Sequence, residues 1–146
     1  MGNFKFFDAR EMNETGNKKF ITLVNKVPEI IYFSLGIMND EKVKPNFKDK
    51  KRALVGVDWD KKQVVVKPVK YNKKAFVMHR GGPERDDGKL SPLKISNKEL
   101  VEKIAKISNQ PKSTLYRYPA HWGEDNEGLI IDLKTILYKK NSLSDG

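Results

Sequence analysis

Apolar residues in this chain come in short runs that alternate with polar ones, and turn-forming residues break the runs every few positions. A period of two over four to eight residues is the signature of a half-buried strand, and few long helices can be cut from such a pattern. Strands are therefore expected over residues 4–10, 18–24, 53–58, 63–69, 74–80, 89–96 and 113–119, with a last one at LIIDL, residues 129–133. Turns are expected at 11–17, at Trp59-Asp60-Lys61-Lys62, at 81–88 (GGPERDDG) and at Gly123-Glu124-Asp125-Asn126. Pro68 and Pro92 fall where a strand is near its end or interrupted.

Two stretches have helical character. Residues 27–35 follow Asn25, a fair N-cap, carry Pro28 in the first turn and precede Gly36, a natural residue just past a helix end. Residues 98–107 follow Asn97 and place Leu100, Val101, Ile104 and Ile107 on one face, with Pro111 blocking continuation. Residues 39–52 are polar and read as a loop, and the segment after Lys139 reads as a loose tail.

The order strand, turn, strand, short helix, strand, turn, strand thus occurs twice. Ile21-Thr22-Leu23-Val24-Asn25-Lys26 aligns with Leu93-Lys94-Ile95-Ser96-Asn97-Lys98, and the Asn-Lys pair is identical where strand hands over to helix. A unit of about 65 residues is marginal alone. Two copies can share one core, as a homodimer does, with the two-fold built into a single chain. The expected fold is β-rich α+β, with one unit over residues 1–70, a second over 71–138 and a polar tail over 139–146.

Charge narrows the function. Lys and Arg number 29 against 19 Asp and Glu, a formal net charge of +10 on 146 residues. A surplus of this size sets up a field that attracts polyanions, though a lysine-rich surface also serves solubility alone. There is no cysteine, which removes disulfides, thiolate zinc sites and cysteine nucleophiles. No apolar run approaches the length of a membrane span, and the first residues lack the pattern of a signal peptide, so a cytoplasmic location without membrane contact is expected.

Catalysis finds little support. The carboxylates cluster in turns (Asp58 with Asp60, Asp86 with Asp87, Glu124 with Asp125), where such residues cap backbone donors. His79 and His121 stand in no metal-binding spacing, and neither GxxxxGK[ST] nor GxSxG occurs. No enzyme activity, metal or cofactor is expected. Of the aromatics that could stack on bases, Phe6, Tyr71, Tyr116, Tyr118 and Trp122, the plainer expectation is that they belong to a core.

Several motifs stand in a telling order: Thr15-Gly16-Asn17-Lys18, Phe20-Ile21-Thr22-Leu23, Ser34-Leu35-Gly36-Ile37, and the segment from Val57 to Lys67 with its acidic turn. In this order the unit resembles the AbrB/SpoVT swapped-hairpin family of bacterial DNA-binding proteins, here as a tandem duplication. The resemblance covers residues 4–69 and, more loosely, 74–135. It implies two hairpin–helix–hairpin units interleaved into one pseudo-two-fold swapped-hairpin barrel. It also implies that Arg10 and Lys18, with Arg80 and Lys89 in the second copy, face DNA. The chain departs from the family at Tyr32 and Phe33, where arginines are usual. It departs again at Ala105-Lys106-Ile107, which replaces Leu-Gly-Ile, and at the acidic Glu84, Asp86 and Asp87.

The residues expected to contact nucleic acid are Lys5, Arg10, Lys18, Lys19 and Lys26 of the first unit and Arg80, Arg85, Lys89, Lys94 and Lys98 of the second. Phosphate contacts need only reachable cations and backbone donors. The expected function is a transcriptional regulator from a bacterium, plasmid or phage that binds nucleic acid, double-stranded DNA foremost, through a basic face of the first strands and turns. The alternative is a small phage-type module that binds a host protein and inhibits or redirects it. Self-association is compatible with either.

Overall fold

The computed structural model describes residues 4, 19–81, 88 and 90–141. The strand expected over 4–10 and the turn over 11–17 therefore lie outside the described residues, apart from Phe4, as does most of the loop over 81–88.

Ten strands form the scaffold: β1 (Phe20–Asn25), β2 (Ile30–Phe33), β3 (Arg52–Asp58), β4 (Gln63–Val69), β5 (Phe76–Val77), β6 (His79–Arg80), β7 (Leu93–Ser96), β8 (Thr114–Gly123), β9 (Gly128–Asp132) and β10 (Tyr138–Lys140). Two short helices, α1 (Leu35–Met38) and α2 (Lys44–Phe47), lie between β2 and β3, and α3 (Lys98–Ser108) lies between β7 and β8. The sheet order is β5-β3-β4-β9-β8-β1-β2-β7-β6, with β10 added beside β8, and every pairing is antiparallel.

The two ends of that path meet. β5 and β6 are separated only by Met78, so one extended segment carries both edges. Its first half pairs with β3, and the Met78 N–H donates to the Lys51 carbonyl at 2.9 Å. Its second half pairs with β7, and the Gly81 N–H donates to the Pro92 carbonyl at 2.7 Å. The sheet thereby curls into a nearly closed antiparallel barrel, which removes the exposed edges that an open sheet would leave.

Alternation fills the interior. Ile21 and Leu23 of β1, Ile31 and Phe33 of β2, Val64 and Val66 of β4, Leu93 and Ile95 of β7, Tyr116 and Tyr118 of β8, and Leu129 and Ile131 of β9 all point inward and are buried. Each such large side chain contributes on the order of 1.5–3 kcal/mol on leaving water. The helices sit toward opposite ends of β8. Phe47 of α2 packs edge-on against Trp122 and also meets Phe33. α3 lies at the other end, starting where the Asn97 side chain accepts the Leu100 N–H and stopping where Asn109 takes the left-handed conformation. A buried amide seam ties its exit to the barrel. Gln110 Nε2 donates to the Leu23 carbonyl, Asn25 Nδ2 donates to the carbonyls of Gln110 and Pro111, and the Tyr118 hydroxyl donates to Gln110 Oε1 at 2.9 Å.

Two hairpins share one geometry. β3–β4 sets Val55 opposite Val66, and β8–β9 sets Ala120 opposite Ile131, each partner 65 positions further on. Both are joined by four residues whose last member is left-handed, Lys62 at φ 52° and Glu127 at φ 49°. β4 and β9 lie side by side with Val65 opposite Ile130. Around the barrel the hairpins follow in the order β3–β4, β9–β8, β1–β2, β7–β6, so residues 20–69 and 76–132 contribute alternately.

Several expectations over residues 25–38 are corrected. The helix expected over 27–35 is instead a bend followed by strand β2, and Pro28, after a cis peptide bond, lies in the β1–β2 connection. A nine-residue apolar stretch fits either period. Pairing on both sides, with β1 and with β7, decides for the strand. Asn25 is consequently the end of β1 and not a helix cap. The cap is Ser34, whose Oγ accepts the Ile37 N–H at 3.2 Å, and Gly36 lies inside α1. The loop expected over 39–52 holds α2, and the tail expected after Lys139 begins inside β10. The strand over 113–119 extends to Gly123 and the strand over 89–96 begins only at Leu93, after Pro92.

Candidate nucleic-acid interface

Register across six strands assembles a row that no single segment contains. His79 of β6 stands opposite Lys94 of β7, Lys94 opposite Tyr32 of β2, Tyr32 opposite Thr22 of β1, Thr22 opposite Arg117 of β8, and Arg117 opposite Tyr138 of β10. Directly opposed residues share a face, and the neighbouring positions Ile21, Phe33, Leu93 and Tyr118 point into the core, so this row lies on the outer face, where Thr22 at 6% exposure is covered by its neighbours. At roughly 4.8 Å per strand it spans about 24 Å. Tyr32 and Tyr138 are 40% and 45% exposed. The Arg117 guanidinium lies between two rings, 4.6 Å from the Phe20 centroid and 5.0 Å from that of Tyr138, which pins β10 to β8.

Charge separates this half of the barrel from the other. β1, β2, β6, β7, β8 and β10 contain no Asp or Glu, whereas β3 and β9 end on Asp58 and Asp132 and the two hairpin turns carry Asp60, Glu124, Asp125 and Glu127. An anion approaching the row meets Lys94, Arg117 and, at its end, Lys140 with no strand carboxylate beside them.

The residues expected from sequence distribute unevenly. Lys5, Arg10, Lys18, Arg85 and Lys89 lie outside the described residues. Lys94 stands at the centre of the outer row. Lys26, in the β1–β2 turn, and Lys98, at the start of α3, come together with Lys112 and Ser113 around one cleft. Lys19 is engaged elsewhere, in an ion pair with Asp40 at 2.7 Å. Its hydrogen bond to Asp40 and the attraction between the two charges hold its pKa above the usual lysine value. Burial alone would raise the Asp40 carboxyl, but the bonds from Lys19 and from the backbone N–H groups of Lys42 and Val43 outweigh it and the net shift is downward. Arg80 is structural. Its Nη2 donates to the carbonyls of Phe47 and Lys48, both at 3.1 Å, closing the C-terminal end of α2.

Of the aromatics considered for stacking, Tyr116 and Tyr118 are core and Trp122 packs on Phe47, while Tyr71 is exposed and lies 5.9 Å from the Arg52 guanidinium. The exposed rings of the row, Tyr32 and Tyr138, are not among the aromatics that the sequence offers for stacking. Tyr32 was hidden by the helical reading of its segment; alternation between buried Ile31 and Phe33 was the signal that could have found it.

The cleft around Lys26 and Lys98 has a volume of about 470 Å3 and is lined also by Asn25, Val27, Glu29 and Glu102. Lys112 Nζ meets Glu102 Oε1 at 2.6 Å across its mouth. Among the described residues no group of three His, Asp or Glu side chains is arranged to hold a metal ion, and no helix is long and apolar enough to cross a membrane. No family model matches the chain, and no curated protein or solved structure matches it.

Proposed function

We propose that this chain is a nucleic-acid-binding protein without a catalytic step, which engages its ligand on the half of the barrel whose strands hold no carboxylate. The observation that carries this is the outer row His79–Lys94–Tyr32–Thr22–Arg117–Tyr138, where Lys94 stands beside exposed Tyr32 and Arg117 beside exposed Tyr138 on strands that hold no acid. Cations engage phosphates, and exposed rings stack on bases that are not already paired. This favours single-stranded segments. The duplex-DNA reading follows from the AbrB/SpoVT resemblance, through Arg10, Lys18, Arg80 and Lys89, and of these Arg80 is committed to α2. The alternating hairpins and the 65-residue correspondence of β3–β4 with β8–β9 support two tandem units in a swapped-hairpin barrel. In the regulatory role implied by that resemblance, the protein acts by occupying its site.

The test is fluorescence anisotropy of labelled single-stranded and duplex oligonucleotides across a salt series. Affinity is expected to fall linearly on a double-logarithmic plot, with single strands bound more tightly than duplex. Lys94→Ala is expected to lower the slope by about 0.7 on single strands, the share of one phosphate contact. Absence of binding at low salt, where attraction is strongest, overturns the proposal, and the basic surface would then suit an acidic protein partner. Tighter binding of duplex would restore the double-stranded reading.

A further inference from the structure

The barrel closes on itself, yet β10 stands outside that closure with one edge free. Over residues 115–117, β8 is paired on both sides, by β1 on one and by β10 on the other. Over 120–123 that second side is taken by β9, so β10 continues the line of β9 along β8. β9 has β4 on its far side, and β4 begins at Gln63, opposite Asp132, because residues 59–62 turn back into β3. The Leu133 N–H still reaches the Lys62 carbonyl at 3.0 Å. Past that bond the line of β4 has ended, and β8 is the one strand paired with β10 among the described residues. Leu133 and Ile136 of the intervening loop turn toward the core, and Tyr138, Lys139 and Lys140 are all exposed.

A free strand edge presents backbone donors and acceptors on alternate residues, and an extended peptide can take them up as a further strand. Charge selects the occupant. Lys139 and Lys140 lie on the edge itself, with the Lys139 Nζ 5.3 Å from the Tyr116 ring centroid, and Lys61 and Lys62 stand in the turn where the line of β4 ends. Two of the nearby carboxylates are turned into their own loops. Asp58 Oδ1 accepts the N–H groups of Asp60 and Lys61 at 3.1 and 3.0 Å, and Asp132 accepts the Lys134 N–H and the Thr135 hydroxyl. Asp60 is thus left among lysines. Trp59, 65% exposed, sits in the same turn and offers a partner an aromatic anchor. A second copy of the chain is disfavoured, because two antiparallel β10 edges centred on Lys139 would set lysine opposite lysine. We propose that β10 accepts an extended, acidic segment of a protein partner as a further strand in line with β4, with carboxylates beside Lys139 and Lys140. This goes beyond the nucleic-acid reading and does not depend on it.

The experiment follows amide chemical shifts and hydrogen exchange of the full chain during titration with a Thr-Glu repeat peptide of about eight residues, an ordinary strand length. The comparison peptides are the same sequence with every backbone nitrogen methylated, and a Thr-Lys repeat. The acidic peptide is expected to shift the amides of Tyr138, Lys139 and Lys140 and to slow exchange on β10. Methylation keeps the charge and removes the ladder donors, and is expected to weaken binding by about tenfold or more. The Thr-Lys repeat is expected not to bind. Joint Lys139→Glu and Lys140→Glu substitution, at two exposed positions, is expected to reverse the preference between the two repeats. Failure of the acidic peptide to bind, equal binding of its methylated form, or protection confined to residues away from β10 overturns the inference; the unmodified chain alone decides this. Protection of β10 that rises with protein concentration in the absence of peptide makes a second copy the occupant and overturns it. Equal protection of β10 by a single-stranded oligonucleotide overturns it in favour of nucleic acid. The oligonucleotide salt series decides the nucleic-acid reading separately, so either reading can fail while the other stands.

Discussion

The β1–β2 and β3–β4 hairpins are built by the same alternation and line the same core, yet they offer solvent different chemistry. The outer face of β1–β2 offers Tyr32 to solvent, with Thr22 covered beside it, next to Lys94 and Arg117 on the neighbouring strands. The outward positions of β3–β4 include Leu54, Gly56 and Val65 together with the cations Arg52 and Lys67, and Asp58 and Asp60 stand at the turn beside Lys61 and Lys62. There the surface is packed flat. A Cβ at Gly56 would stand 3.2 Å from Val65 Cγ1, and one at Gly128 would stand 2.7 Å from Val65 Cγ2 and 3.1 Å from the Val66 carbonyl oxygen. The contrast teaches that barrel closure constrains only the inward residue of each pair. The outward residue is free to differ, so one half can carry cations and rings on strands without acids while the other combines cations, acids and close strand-to-strand packing.

The largest effect expected on this contrast is at Gly128. Gly128→Ala forces a methyl group against a stiff valine and a backbone carbonyl, and is expected to lower stability by about 2–3 kcal/mol in urea unfolding. Oligonucleotide affinity of the folded fraction should not change. If affinity falls with stability, the two halves are not separable. Tyr32→Ala should do the reverse, weakening single-strand binding by about 1–3 kcal/mol in anisotropy while shifting the unfolding midpoint little. An unchanged affinity would remove the row from the interface.

A smaller effect concerns β8, the strand that passes through both halves. Burial raises the Tyr118 pKa to about 12, from 10.0. A group whose folded pKa is raised contributes stability that is complete below its unfolded value and disappears as pH climbs through the folded one. Stability is therefore expected to fall between pH 10 and 12 in excess of the general alkaline loss. Tyr118→Phe should flatten that excess while costing about 1 kcal/mol at neutral pH for the lost hydroxyl bonds. An equally steep decline in the variant would assign the loss to other groups. The smallest effect is expected at the acidic turn. Lys42 and Glu124 pair at 2.9 Å with both side chains largely exposed, so Lys42→Ala should leave the unfolding midpoint and the binding curve unchanged.

Part of this molecule was legible residue by residue. Alternation located β1, β3, β4, β7, β8 and β9, the Asn97 cap and the apolar face of Leu100, Val101, Ile104 and Ile107 located α3, and the four-residue turns stood out by composition. These signals are local, because side-chain direction within a strand or helix follows from its own period. The net charge and the absence of cysteine were likewise fixed by the residues alone. Residues 27–35 were not legible, because a short apolar run bounded by Asn and Gly satisfies both periods until β1 and β7 pair on either side of it. Nor could the sequence say which cations stay available. Lys19 and Lys94 look alike in the chain, and only the approach of Asp40 in one case and of Tyr32 and His79 in the other separates them. The outer row, the cleft that joins Lys26 to Lys98 and the closure through Met78 all depend on register between strands far apart in sequence. That register is set by burying the inward faces together, a condition no single segment contains.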